Sequence, residues 1–576
     1  MTCKRALSYA SLLLMGGCTN AVTGGSTSTA DQPAAVAFES AAQLVGKHGK
    51  LNITPVPAAQ GKKPGFSSPN ILPPELIATA VAQGSFPVEN PQTVTLADGS
   101  TATAAFYGYN GDGPLLPAPG DLPSATHLVE ATKTEPDKNT YLVLYGQNGP
   151  DASYDYGTHF LFQGHEGGTP GMITRINLDA DGAHKVTLMA ATDSTGAALA
   201  DIDGSTWDPF AQRLIFTTED AGAPIYQATL SYPSVVEDIS GSIGRGGYEG
   251  VQNDGEGNLW IVEDNSGATT AATPHAKAPA GFIYRFVPHR ADDLKHGKLQ
   301  VLQVTSLQNG QPIVEHDPAT DTLSADQADL HTYGKRFKTR WITIHDTAHD
   351  GNATPFSAND LAKAKGGTPF KRPENGQFRP GTNFREFVFA TTGDTSALTE
   401  AGAAFGGFGA VFKVTDHVSG GDTGTLTMVF RGDVAHTGFD NCSFISKNDI
   451  VFVEDAGDTL HTQRNALDSA YIIDLTADYS DPANVPARLM AEGRDPSATL
   501  DSAFGAFDGF QNEGDNEITG FHVSNGDPSP RGLLGASIPR PFKDGWRIFW
   551  TQQHGENQTW EILPNTASGC SPFGDD

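Results

Sequence analysis

The chain has 576 residues, with 65 glycines, 37 prolines and 18% charged residues, a composition typical of many short strands and turns rather than of long helices. Its 67 acidic and 37 basic residues give a formal charge of −30, which excludes general charge attraction to nucleic acid or to an anionic membrane surface. Such an excess of carboxylates suits an exported protein, or one that collects divalent cations through oxygen ligands.

The N-terminus predicts export. Residues 1–17 read as a lipoprotein-type signal peptide, with a positively charged start and a short apolar run, Ala6–Met15. The sequence MGGC that ends at Cys18 is similar to a bacterial lipobox and implies a lipid anchor there; cleavage elsewhere with a free Cys18 is the alternative. Residues 18–75 predict a flexible tether. No later run reaches the length of a membrane span, so we expect a protein at the outer membrane, at the cell surface or in the periplasm.

The stretch Tyr248–Gly267, YEGVQNDGEGNLWIVEDNSG, predicts a β-hairpin with a Gly/Asp-rich turn. The start of the first strand and the end of the second lie at the same edge of a hairpin. Glu249 and Glu263, fourteen residues apart, are therefore expected to meet at that edge. Burying like charges together is costly unless cations neutralise them, so this edge is a candidate cation site.

A repeat of two strand-like runs extends over the rest of the chain. The first run, which usually ends in an acidic residue, begins near residues 159, 213, 259, 386, 450 and 547. A second run follows each of these, beginning near residues 171, 223, 281, 409, 469 and 558. Six repeats of paired strands predict an all-β fold, a six-bladed β-propeller over residues 76–576.

The remaining segments are assigned around this repeat. Surface-loop insertions are expected at residues 268–280, 307–340 and 350–383, with a short helix at Asn359–Lys365. The last repeat ends close to the C-terminus and needs a strand from elsewhere. Ala102–Tyr109 is expected to supply it and to close the ring, which removes the open sheet edges. Cys442 and Cys570 are a possible disulfide in an oxidising compartment.

Acidic residues recur in register at the strand ends. Asp440 precedes Glu454 by fourteen residues, and Asp203 precedes Glu219 by sixteen. Because the innermost strands of a propeller run side by side, such ends should converge on one mouth of the channel. The candidate metal ligands are Glu166, Asp203, Glu219, Glu249, Glu263, Asp264, Asp394, Asp440, Glu454 and Glu517, with His554 near them. Oxygen donors at this density suit calcium; the alternative is that these residues form turns or a solvated rim.

Several short motifs within residues 140–565 resemble those of the PhoX-type bacterial alkaline phosphatases. They are GHE at 164–166, GST…LIFTTED at 204–220, IGRGGYEG at 243–250, IVED at 261–264, GFIYRF at 281–286, FDNCSF…VFVED at 439–455, NEITGF at 516–521 and QQHGE at 552–556. The resemblance implies a six-bladed propeller that holds calcium and iron in an axial funnel and hydrolyses phosphomonoesters.

Two departures from that family bear on the metals. The family places a metal-bridging cysteine shortly before its GxT motif, where this chain has Asp201, Ile202 and Asp203. A carboxylate at Asp203 replaces thiolate by oxygen, which disfavours a soft ligand set and shifts the choice of metal. The family is usually exported folded by a twin-arginine signal, whereas this chain has only Lys4 and Arg5, so its metals are expected to load outside the cytoplasm.

We interpret the chain as a metal-dependent phosphoric ester hydrolase, in which clustered cations bind phosphoryl oxygens and activate a water. Arg245, Arg385 and His554 are the candidate catalytic residues, the two arginines as stabilisers of transition-state charge. The expected substrate is a phosphorylated small molecule and the expected state a monomer. Two alternatives stay open: a calcium-dependent lactonase or phosphotriesterase, and a non-catalytic surface lipoprotein that calcium stabilises.

Overall fold

The computed structural model describes residues 53–56, 70–109, 133–492, 517–553 and 557–566, and antiparallel strands dominate it. The strands are β1 (Leu76–Ala82), β2 (Pro87–Thr95), β3 (Thr101–Phe106), β4 (Thr140–Val143), β5 (His159–Gly164), β6 (Ile173–Asn177), β7 (Val186–Ala190), β8 (Ser205–Asp208), β9 (Arg213–Phe216), β10 (Tyr226–Ala228), β11 (Val236–Asp238), β12 (Tyr248–Asn253), β13 (Leu259–Glu263), β14 (Ile283–Pro288), β15 (Gly297–Val304), β16 (Phe337–Asp346), β17 (Pro373–Phe378), β18 (Glu386–Thr391), β19 (Ala410–Asp416), β20 (Thr423–Arg431), β21 (Phe439–Phe444), β22 (Asp449–Glu454), β23 (Ser469–Asp474), β24 (Ala487–Ala491), β25 (Glu517–Ser524), β26 (Arg547–Gln553) and β27 (Gln558–Pro564). The α-helices within those ranges are α1 (Ser240–Ile243), α2 (Pro318–Asp321), α3 (Ala325–Leu330), α4 (Thr347–Asp350), α5 (Ala358–Lys365) and α6 (Gly457–Arg464).

The strands pair in groups of four. The groups are β4–β7, β8–β11, β12–β15, β17–β20, β21–β24, and β25–β27 completed by β1. In every group the second and third strands are the two runs that recur in the sequence, and they pair antiparallel, as β13 does with β14 and β22 with β23. The predicted repeat of paired strands is therefore confirmed.

The first strands of the groups contact one another around a closed ring, in the order β4, β8, β12, β17, β21, β25 and back to β4. This arrangement confirms an all-β, propeller-like fold. The long strand β16 pairs with both β15 and β20 and so joins two of the groups into one nine-stranded sheet. The ring thus contains six groups of strands, two of which share a single sheet.

The second and third strands are rich in apolar residues because neighbouring sheets cover both of their faces. Every residue of β13 and of β22 is buried. Trp260 of β13 packs against Phe387 of the neighbouring group with ring centroids 4.9 Å apart. A strand buried on both faces shows no alternation of apolar and polar residues, which is why these runs are continuous in the sequence.

The strand that closes the ring is β1, not Ala102–Tyr109 as predicted. β1 pairs antiparallel with β27, from Leu76 opposite Pro564 onwards. The predicted segment instead overlaps β3, which pairs with β2 in a hairpin. The two strands are joined by a tight turn in which Gly99 has a φ of +84°. That hairpin covers the outer strand β7, where Asn90 exchanges two hydrogen bonds with the backbone of Leu188, at 2.9 and 3.0 Å.

Two of the three predicted loop insertions contain sheet strands. β16 begins within the segment 307–340, and β17 lies within the segment 350–383. The short helix predicted at Asn359–Lys365 is confirmed as α5. Among the described helices, none has the length and apolarity needed to span a bilayer. Cys442 is buried on β21, and Cys570 lies outside the described residues.

Candidate metal centre

An acidic residue lies at or just before the start of the first strand in all six groups: Asp137, Asp203, Glu249, Glu374, Asp440 and Glu517. In four groups the register of the first two strands shifts by a bulge, and in three of them Glu249, Glu374 and Asp440 lie directly inside it. A bulge turns side chains out of the regular alternation of a strand. Here it brings one carboxylate oxygen from each of these three residues to within 4.8 Å of the other two.

A second layer of carboxylates comes from the residues that follow the second strands. Glu166, Glu219 and Asp264 follow β5, β9 and β13. Glu166, Asp203 and Glu219 form one group with ligand atoms within 4.8 Å of one another, and Glu219, Glu249 and Asp264 form another. The three groups share members, so they make one continuous set. We call it the axial carboxylate cluster: Glu166, Asp203, Glu219, Glu249, Asp264, Glu374 and Asp440.

Gly204 allows two neighbouring first strands to approach within the cluster. A Cβ atom on Gly204 would collide with the backbone oxygen of Glu249 and with Oγ1 of Thr217. A glycine is therefore required between Asp203 and β8, because any other residue would push Asp203 and Glu249 apart. This gives the GST motif a structural role at the cluster.

Glu263 and Glu454, both predicted ligands, are buried outside the cluster and are held by backbone amides and by neighbouring side chains. Glu263 accepts hydrogen bonds from the Phe282 amide at 3.2 Å and from the Tyr284 hydroxyl at 2.8 Å. Glu454 accepts one from the Ser469 amide at 2.9 Å and pairs with Arg464 at 3.0 Å. Each carboxylate thus ties the end of a second strand to the start of the third, and the structure does not bring either into the cluster.

The other predicted site residues are dispersed. Asp394 is buried beside Lys371, 3.4 Å away, and accepts a hydrogen bond from the Lys277 amide at 2.8 Å. Glu517 is the first residue of β25, which contacts β21, the strand of Asp440; removal from water and the charges of Asp455 and Glu166 raise the pKa of Glu517 well above its usual range. His554 lies outside the described residues.

The two predicted catalytic arginines are engaged elsewhere. Arg245 pairs with Asp238 at 3.5 Å and donates to the carbonyl of Gly222 at 2.9 Å. Arg385 is exposed and donates to the carbonyl of Asp416 at 3.3 Å. Neither lines the cleft described below.

Sequence reasoning missed several groups at this site. Asp137 precedes β4, where its charge contributes to the raised pKa of Asp203. Glu374 was missed because its strand, PENGQF, contains Pro, Asn and Gly and is typical of a loop. Asp455 follows Glu454 as Asp264 follows Glu263, and that parallel in the sequence could have identified it.

Burial and mutual repulsion oppose ionisation of the cluster in the absence of cations. The pKa values of Asp203, Glu249 and Glu374 are raised well above the usual range, first by removal from water and then by neighbouring carboxylates. The same causes raise the pKa of Asp440 to about 7. Cations would reverse this effect, because they stabilise the ionised form.

The donor set fits hard cations. The members of the cluster offer carboxylate oxygens only, the ligand type that calcium prefers. Asp203 Oδ1 and Asp264 Oδ1 are buried without a hydrogen-bond partner. A buried carboxylate oxygen without a donor is costly unless a ligand completes its shell. The cluster is therefore a set of acidic groups able to hold metal.

A cleft of about 670 Å³ opens beside the cluster. Its lining residues are Glu219, Ala221, Asp264, Asn265, Ser266, Lys277, Arg372, Thr395, Asp455, Gly457 and Thr459. Arg372 donates to Asp264 Oδ2 at 2.8 Å and lies 3.4 Å from Glu374. Its Nη1 is buried without a hydrogen-bond partner. Arg372 and Lys277 thus place positive charge where the cleft meets the carboxylates.

Comparisons with known proteins gave structural matches only. No protein-family model and no curated protein sequence matches the chain. PhoX from Pseudomonas fluorescens, solved with the transition-state analogue vanadate, is 10% identical with a TM-score of 0.49, over 90% of this chain and 98% of that one. An auxiliary nutrient binding protein from Bacteroides thetaiotaomicron is 9% identical with a TM-score of 0.32, over 75% of this chain and 72% of that one. At these values the fold assignment rests on the strand pairing described above.

Proposed function

We propose that the protein is a metal-dependent phosphoric ester hydrolase that acts on phosphomonoesters. The observation that carries the proposal is the continuous set of three carboxylate groups at the wall of an open cleft that also presents Arg372 and Lys277. An anionic phosphate could enter a carboxylate-lined site only if cations offset the negative charge. The motifs that resemble the PhoX-type alkaline phosphatases support the same reaction.

In this proposal the carboxylates would bind the metal ions, and the basic residues of the cleft would contact the phosphate. Bound cations supply Lewis acidity and lower the pKa of a coordinated water. The axial carboxylate cluster would hold them, and Arg372, oriented by Asp264, would face the phosphoryl oxygens with its unpartnered Nη1. A guanidinium held in this way gives planar, charge-assisted contacts to phosphate. Lys277 would add a second positive charge at the cleft.

We propose calcium as the principal metal and an exported, lipid-anchored location. The cluster has only oxygen donors, including Asp203 at the place where the similar family has a bridging cysteine, so calcium is favoured over iron. Calcium is available outside the cytoplasm, where residues 1–18 would direct the chain. The substrate would be a phosphorylated small molecule, and the functional unit a monomer.

The reaction class can be tested with protein that lacks residues 1–18. The protein is stripped with chelator, reloaded with calcium, with and without iron, and assayed on a phosphomonoester, a phosphotriester and a lactone. We expect metal-dependent phosphate release from the monoester. Hydrolysis of the triester or the lactone alone would replace the proposal with the second enzyme class. Metal-dependent melting without any turnover would indicate a calcium-stabilised binding protein.

Lys277→Met is expected to raise KM for a phosphomonoester by about tenfold or more, because a charged hydrogen bond to a phosphate contributes about 1.5–3 kcal/mol. Lys277 lines the cleft, where partial removal of its ammonium from water lowers its pKa. Arg385→Met is the matched control, since it also removes one positive charge but from an exposed position. Steady-state kinetics measures both. Equal changes in KM for the two variants would show that overall charge, and not the cleft, is responsible.

A further inference from the structure

Lys138 is a buried lysine that reaches across the ring of first strands to Asn375, which contacts the axial carboxylate cluster. It lies at the entry to β4 and is 3% exposed. Its Nζ donates a hydrogen bond to Oδ1 of Asn375 on β17, three positions away around the ring of six first strands. Its backbone carbonyl accepts a hydrogen bond from Ser205 Oγ at 3.0 Å, which fixes the start of the side chain.

Asn375 passes this contact on to the cluster. Its Nδ2 donates to Asp440 Oδ1 at 3.0 Å, while Asn441 donates to Asp440 Oδ2 at 2.7 Å. An ammonium can only donate, so Lys138 fixes which end of the Asn375 amide faces it and leaves the NH₂ for Asp440. Two hydrogen bonds, from Lys138 to Asn375 and from Asn375 to Asp440, thus link Asp440 to a positive charge.

We propose that Lys138 is the resident cation of the axial carboxylate cluster, a positioning residue that orients Asp440 through Asn375 and offsets negative charge when no metal is bound. Burying a lysine is costly unless negative groups surround it. Asp137 is one such group, since the charge of Lys138 opposes the rise in the pKa of Asp137 that burial causes. Asp440 is linked to Lys138 through the Asn375 amide.

Lys138 should lower the affinity of the cluster for calcium. A fixed ammonium stabilises ionised carboxylates but repels a divalent cation that binds to the same set. Lys138 and calcium therefore partly replace each other. The inference uses only the cation-binding part of the proposed function and does not depend on the reaction.

Lys138→Met removes the charge and keeps a similar side-chain length. We expect the melting temperature in EDTA to fall by about 5 °C or more, since the substitution leaves the buried carboxylates around Lys138 without their offsetting charge. With saturating calcium the loss should be much smaller, because calcium supplies the missing charge. Calcium titration by calorimetry should show tighter binding than in the wild type. If Lys138→Met cannot be purified without calcium, the double variant Lys138→Met with Asp440→Asn should fold in EDTA, because it removes one charge of each sign.

Lys371→Met is the matched control, because Lys371 is also buried beside a carboxylate, Asp394, but outside the cluster. The melting temperature of this variant should fall by the same number of degrees in EDTA and in calcium. The same pattern in Lys138→Met, or a double variant that does not fold, would overturn the inference alone. A wild-type protein whose melting temperature is unchanged by calcium would overturn the inference and the proposed metal centre together.

Discussion

Glu249→Gln is expected to lower kcat/KM for a phosphomonoester by about a thousandfold or more in calcium-loaded protein. Glu249 belongs to two of the three carboxylate groups, so the substitution removes a negative ligand from both. Metal catalysis supplies several kcal/mol of transition-state stabilisation, and each 1.36 kcal/mol is about tenfold in rate. The measurement is phosphate release, combined with calcium titration of the same variant, which should show weaker binding.

Glu263→Gln is the matched control for that prediction. Glu263 lies across the same hairpin but bonds to Tyr284 and to the Phe282 amide rather than to the cluster. Burial raises its pKa to about 8, so the side chain is mostly uncharged at neutral pH and glutamine is a close substitute. We expect turnover near the wild-type value. Full activity in Glu249→Gln would remove the cluster from the reaction, and equal losses in both variants would contradict the separation of the two positions.

Metal-free protein is expected to lose thermal stability as the pH rises from about 5 to about 8. The pKa values of Asp203 and Glu249 are raised well above the usual range by burial, and that of Asp440 to about 7. In the unfolded chain the same groups release their protons near pH 4. Between these limits the folded protein holds more protons than the unfolded chain, so its stability falls with rising pH, by about 1.4 kcal/mol per pH unit for each proton held.

Calcium is expected to reverse that trend, because it binds only the deprotonated carboxylates and its stabilising effect grows with pH. Melting temperatures in EDTA and in calcium, measured from acid to alkaline pH, test both signs. Asp440→Asn removes one of the titrating groups and should make the slope in EDTA shallower. Parallel curves in EDTA and in calcium would contradict a cluster that exchanges protons for metal.

The fold could be predicted where burial forces continuous apolar runs. The second and third strands of every group, such as β13 and β14, lie between two sheets and stand out in the sequence. The first strands do not, because their residues face the axis and include polar and bulged positions. β17, with the sequence PENGQF, is wholly buried and yet has the composition of a turn. Tertiary contacts, rather than strand propensity, determine such a strand.

The chemical nature of the site, a cluster of carboxylates, could be predicted from the sequence, but only some of the residues that form it could be identified. Six predicted residues do meet in the axial carboxylate cluster: Glu166, Asp203, Glu219, Glu249, Asp264 and Asp440. Glu263 and Glu454 belong to the same repeat, but neighbouring residues at a strand end point in different directions, and hairpin spacing alone cannot distinguish them. Arg372 and Lys277 come from connections between strands, where the repeat gives no register.

The pairing of β1 with β27 has a consequence for biosynthesis. β1 precedes β27 in the chain by all the other strands of the sheets, so the ring cannot be sealed until that whole intervening stretch has been translated. Until then the nascent chain carries an unsatisfied edge that invites pairing with other chains.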